Sequence, residues 1–251
     1  MLPEERPSVV LGTIHLATED AFFHWDRIAK LIDTYDNVFT ESSLEYSSQQ
    51  VINKYVFFNE PDIFLQYVTN NRWQRMRKTF IKYFNVDIER MRDMRPLFIL
   101  SSLYQSIEPS HGSSLDHRIW SYAEEKGKSV DGIETVEEQI QIMLGLSIRM
   151  QYRQLVRMSL RISGLKAKYR SILEAYQEED VLKLLNLSKS SLGLDRSTLL
   201  QNRNEIMVDR MMGNHNKQPS FFCFGAGHIA GSDGVIALLK KNGALVRALK
   251  N

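Results

Sequence analysis

The sequence contains a single cysteine, Cys223, in 251 residues. An intramolecular disulfide framework, a cysteine-ligated zinc finger and an iron–sulfur cluster each need two or more thiolates in one chain, so all three are excluded. No apolar run approaches the ~18 residues of a membrane span. Met1 to Arg6 is polar where a secretory leader carries an apolar stretch. The chain as given therefore reads as soluble, with no signal peptide, anchor or integral membrane segment, and its compartment is not fixed by this. Charge of one sign is also scarce. Lys and Arg total 32 against 30 Asp and Glu, a formal +2 that argues against nucleic acid as a partner. HExxH, a P-loop and a nucleophile elbow are all missing, which removes motif support for those hydrolase classes.

What is present is a globular composition, 43% apolar and 25% charged, enough to bury a substantial core. Ser8 to Leu16 is a β-branched run that reads as a buried strand ending near His15. A helix is expected over Ala21 to Thr34, and Val38 to Thr40 is a second short strand that delivers Glu41. Ser47 to about Leu103 is mostly helical in pattern. A helix over Leu115 to Lys126, stopped by Gly127, precedes a strand from Ser129 to Ile133 that delivers Glu134. Helix then dominates from Thr135 to about Leu187 and again from Ser197 to Met212. Phe221 to Phe224 is an apolar strand running into Gly225-Ala226-Gly227-His228. A last helix and a strand over Ala244 to Leu249 finish the chain. With strands at both ends and helices between, the expected fold is α/β: a central, mainly parallel sheet from the N- and C-terminal segments with a large helical insertion. The expected organisation is one domain over residues 1–251, with the insertion at roughly 47–110 and 135–212.

Leu11-Gly-Thr-Ile-His15-Leu-Ala-Thr-Glu-Asp20 repeats in pattern as Phe224-Gly-Ala-Gly-His228-Ile-Ala-Gly-Ser-Asp233. Ligands of open α/β sheets bind beyond the carboxyl ends of the strands, where four expected strands end in His15, Glu41, Glu134 and His228. Two imidazoles and two carboxylates make a nitrogen and oxygen donor set that suits a divalent transition metal such as manganese, cobalt or zinc. Gly12 and Gly225 are expected to take loop dihedrals closed to other residues and to let a ligand near the backbone. Each residue also has a plain reading: a hydrogen-bonded structural histidine, or a glutamate near a helix cap. Gly225, Gly227 and Gly231 resemble a dinucleotide loop, but no acidic residue follows Asp233 to hold a ribose.

GTIH at Gly12 to His15, ESSL at Glu41 to Leu44, LDHRIWSYAEEKGKSVDGIETVEEQ at Leu115 to Gln139, RNEIM at Arg203 to Met207 and FFCFGAGHIAGSDGVIALLKKNGALV at Phe221 to Val246 resemble the TraB/GumN family. They are especially similar to its Tiki branch. The resemblance implies an erythromycin-esterase/ChaN-like fold and a metal-dependent protease that cleaves near the N-terminus of a peptide or protein substrate. Carried over, it makes His15 and His228 the G-x-x-H histidines and metal ligands. Glu41 and Glu134 become ligand and general base, in an order it leaves open. Arg203 and Asn204 match the family Arg-Asn pair, Arg203 suited to an oxyanion or a substrate carboxylate and Asn204 to orienting a ligand or hydrogen-bonding the substrate. ESSL stands where Tiki proteins have a glutamate followed by Leu-Asp-Leu. Two other readings share the fold: a non-catalytic protein that binds a peptide or a cofactor such as haem, and a metal-free esterase with a histidine base. A homo-oligomer is compatible with all of them.

Arg149, Arg153, Arg157 and Arg161 recur every four residues, and Lys166, Lys168 and Arg170 continue a stretch without an acid. Arg72 to Lys82 is a second basic cluster. Both read as solvated faces or, alternatively, as surfaces for an anionic partner.

Overall fold

The computed structural model describes residues 6–14, 19–107, 114–192 and 200–249. Its strands are β1 (Val9–Thr13), β2 (Asn37–Ser42), β3 (Ser129–Glu134) and β4 (Phe221–Gly225). The helices are α1 (Trp25–Asp33), α2 (Tyr46–Asn53), α3 (Asn70–Phe84), α4 (Pro96–Ile107), α5 (Leu115–Glu125), α6 (Val136–Leu144), α7 (Ile148–Ser159), α8 (Ile162–Gln177), α9 (Val181–Leu192), α10 (Asn202–His215) and α11 (Val235–Lys241). Two compact units emerge: Met1–Leu44, His111–Thr135 and Ile172–Asn251 carry the sheet, and Glu45–Ser110 with Val136–Ser171 form a helical unit.

In the sheet unit the strands are all parallel and lie in the order β1-β4-β2-β3. β4 is interior to this order, and its sequence is accordingly a continuous apolar run, as expected of a strand covered on both faces. Successive side chains of a strand point to opposite faces. Phe221 and Cys223 enter one core with Val9, Val38 and residues of α1 and α5. Phe222 and Phe224 enter another with Ile133 and residues of α10 and α11. Each buried Phe contributes on the order of 1.5–3 kcal/mol, so β4 alone anchors both helical layers. Burial pushes the Cys223 thiol well above its ordinary value, which leaves it an apolar core residue without nucleophilic character.

α5 opens where the Ser114 hydroxyl accepts from the His117 amide and ends before Gly127, whose φ of +67° suits glycine. The helical stretch that begins after β3 is interrupted three times in the described residues, giving α6, α7, α8 and α9, because Gly145, Leu160-Arg161 and Glu178 to Asp180 break its period. Asp180 accepts from the Lys183 amide at 2.9 Å and so caps α9. Within that stretch 136–171 belong to the helical unit, whereas the chain from Ile172 onward, including α9 and α10, belongs to the sheet unit. The segment Ala244 to Leu249 is not a strand. Ala244 and Val246 lean on the α10–α11 core, but Leu245 is 96% exposed and the segment pairs with no strand, so its alternating pattern has no ladder to join.

In the helical unit, Trp73, Met76 and Phe80 bury one face of α3, with the Trp73 indole N–H donating to Glu89 at 2.8 Å. Tyr152 and Leu155 of α7 are buried in the same unit. No helix among the described residues is long and apolar enough to cross a membrane.

Candidate functional site

Because all four strands are parallel, their carboxyl ends lie along one sheet edge. Thr13 at the end of β1 is in register with Gly225 of β4, and Ser42 of β2 with Glu134 of β3. The two repeat segments therefore leave adjacent strands, Gly12 opposite Phe224 rather than Gly225, a stagger of one residue. His15 lies outside the described residues, which stop at Ile14 at this edge. Glu41, Glu134, Arg203, Asn204 and His228 are all described, and they meet.

His228 closes a short turn of 3-10 helix, Ala226–His228, directly after β4, and is 5% exposed. Its Nδ1 lies 2.6 Å from the Asn204 Oδ1. The Asn204 amide nitrogen in turn donates to the Asp233 carbonyl at 2.6 Å, which fixes the flip of the amide and makes Oδ1 an acceptor. The proton of the neutral imidazole therefore sits on Nδ1, and the lone pair on Nε2, the atom 3.9 Å from Glu41 Oε1. Asn204 shares a helical stripe with Met207, Val208 and Met211 of α10, all buried. A polar residue on that apolar stripe was the signal that it faces the interior.

Glu41 is anchored at both ends. Its Oε2 accepts from the Gly225 amide at 2.9 Å and its Oε1 from Arg203 Nη2 at 2.5 Å. A Cβ on Gly225 would sit 3.2 Å from Glu41 Oε2. Neither Gly12 nor Gly225 has a positive φ, so the loop-dihedral expectation is replaced by one of close approach: Gly225 is bare so that the carboxylate can reach its N–H.

Glu134, 2% exposed, takes Arg203 Nε on both oxygens, at 3.1 and 3.0 Å, and also Nη2 on Oε2. Burial alone would lower the Arg203 pKa. The charge of Glu41 and the hydrogen bonds to Glu134 outweigh it, and the guanidinium is held well above its usual value, always a cation. Among the described residues Arg203 Nη1 has no acceptor. Two carboxylates thus share one guanidinium.

Residues not singled out from the sequence complete the edge. Gly132 lets β3 run against β2: a Cβ there would lie 2.4 Å from the Ser43 amide nitrogen and 2.6 Å from the Glu134 carbonyl. Thr13 donates to Asp116 at 2.7 Å, both buried, and Gln201 donates to Asp233 at 2.6 Å. Asp233 had a signal in the internal repeat, and Asp116 in the LDHR run. Gly132 had none, since only its three-dimensional neighbours require it.

Among the described residues no three of His, Cys, Asp and Glu form a group that could hold a metal. The pair that is described offers one nitrogen and one oxygen donor: His228 Nε2 and Glu41 Oε1 are separated by 3.9 Å, wider than the ~3.3 Å between two donors of a tetrahedral ion bound at ~2.0–2.1 Å, so the two side chains would have to draw together by about half an ångström around one.

No curated protein and no solved structure matches the chain. The family model described as the TraB/PrgY/gumN family matches residues 3–248. With essentially its whole length matched, and the G-x-x-H segments, the two glutamates and the Arg-Asn pair within that match, the chain belongs to the TraB/PrgY/gumN family.

Proposed function

We propose that this protein is a metal-dependent hydrolase of peptide bonds working at the carboxyl edge of its sheet, of the kind the Tiki resemblance implies. The observation that carries the reading is the orientation of His228. Asn204 spends a buried amide on holding Nδ1–H, so Nε2 presents its lone pair toward Glu41, the arrangement by which metal-ligating imidazoles are held in many proteins.

His228 and Glu41 would hold the ion, with His15 of the other G-x-x-H segment as the third donor. A divalent ion bound there supplies Lewis acidity, easing deprotonation of water and polarising a carbonyl. Glu134 is the remaining carboxylate and accepts the proton of the attacking water; Arg203 makes one bond to its Oε1 and two to its Oε2, which holds the carboxylate in place for that step. Arg203 holds both carboxylates in place and offers Nη1 to the oxyanion of the substrate.

The test is peptide cleavage by exhaustively chelated protein before and after manganese, cobalt or zinc is returned. The reading expects activity to vanish and reappear. Full cleavage with metal shown absent would replace it with histidine-base catalysis. A second reading, binding without catalysis, draws on the closure of Arg203 against both carboxylates, a self-contained ion network. It is the better one if stoichiometric metal binds and no peptide is cleaved.

A further inference from the structure

The helical unit contains a second candidate site, chemically unlike the first. A cleft of about 530 Å³ lies between the exposed face of α3 and the α7–α8 junction, lined by Arg75, Lys78, Tyr83, Ser163 and Lys166 among others. Its lining has no carboxylate. Arg75, Lys78, Thr79 and Tyr83 fall at helical spacing on one face of α3, beside the face that buries Trp73, Met76 and Phe80.

The pairing of charge in this unit is selective. Arg77 is held bidentately by Asp87 at 2.8 and 2.7 Å, and Arg92 is paired with Glu89 and Asp62. Glu137 is engaged by the Tyr55 hydroxyl. Arg75 and Lys78, on either side of Arg77, and Lys166 across the cleft have no carboxylate partner among the described residues. The Ser163 and Tyr83 hydroxyls add donors, and Tyr83 is 54% exposed.

We propose that this cleft binds a small molecule bearing two or more phosphate groups. Three unpartnered cations form a field for a multiply charged anion, and the lysines and arginine are the side chains that donate best to phosphate oxygens. A volume of this size is that of a small-molecule site. Concavity separates it from a flat basic face suited to a membrane. The site is independent of the sheet-edge reading.

Isothermal titration of the full chain with inorganic tripolyphosphate tests it, at constant ionic strength and with EDTA present so that no metal-mediated binding contributes. One saturable site is expected, weakened by added salt. Lys78→Glu and Lys166→Glu should each weaken it about tenfold or more, the scale of a lost charged hydrogen bond. Arg149→Glu, outside the cleft, should leave it unchanged. Ser163→Asp places an acid in the first turn of α8, where acids favour the helix, so loss of binding there does not reflect unfolding. Absence of saturable binding, or equal binding by the cleft variants and the parent, overturns the proposal. So does binding confined to phosphatidylserine vesicles, which would assign the basic residues to a lipid surface.

Discussion

Asn204 acts in two directions at once, donating to the Asp233 carbonyl and accepting from His228, so its substitution separates positioning from folding. Asn204→Leu keeps the approximate volume and removes both bonds. Metal affinity is expected to fall about 10- to 100-fold, as for other residues that orient metal-ligating histidines, and titration with a metal indicator measures it. An unchanged affinity would leave the residue a packing element. Arg203→Met is a different experiment, because it strands Glu41 and Glu134 as buried charges. A loss of about 3–5 kcal/mol in denaturant-measured stability is expected. Glu134→Gln should lose turnover while retaining metal, whereas Glu41→Gln should lose both; equal metal loss in the two variants would contradict the assignment. At this scale the sequence was informative at the ends of short apolar runs, as for Glu41, Glu134 and His228, although Glu41 and Glu134 lie within β2 and β3 and only His228 follows its strand. It was informative about Arg203 and Asn204 only through the family resemblance.

Elements whose burial pattern is local were legible from their residues. β2, β3 and β4 were recognisable from short apolar runs that end at polar residues, and Gly127 marked the end of α5. Ala244 to Leu249 was not, because a strand needs a neighbour, and sequence alternation records apolar faces without recording who pairs with them. The breaks between α6, α7, α8 and α9 were obscured by helix-forming residues on both sides of each. Gly132 illustrates the same limit: its need arises from β2, some 90 positions away, so only the close approach reveals it. Gly132→Ala should be among the most damaging small substitutions, since the contacts at 2.4 and 2.6 Å are with backbone that has to move. A loss of at least ~2 kcal/mol and displacement of Glu134 are expected, read by thermal unfolding and by metal affinity. α8 carries a pH dependence as well. Lys168, pushed down to about 8 by burial and then by Arg157, binds its proton less readily folded than unfolded. Between about 8 and its ordinary value near 10.5 stability should therefore rise with pH, and Lys168→Gln should lose that rise relative to the parent. Parallel curves for the two proteins would contradict it.

Over the whole molecule, near-neutral charge conceals an uneven distribution: two carboxylates gathered on one arginine at the sheet edge, and a basic cleft in the helical unit whose Arg75, Lys78 and Lys166 have no carboxylate partner among the described residues. The α/β class and the convergence of strand ends followed from the order of elements along the chain, since parallel strands put every carboxyl end on one side. The division into units did not follow, because the boundary at Ile172 falls inside α8, whose pattern does not change there. The central claim is that one metal ion is shared across this edge by residues 213 positions apart, His15 and His228. Anomalous diffraction from crystals grown with manganese tests it most directly. The account predicts a single strong peak about 2 Å from His228 Nε2, within bonding distance of Glu41 and of His15. Peptide cleavage by the same preparation with no anomalous density at that edge would contradict it.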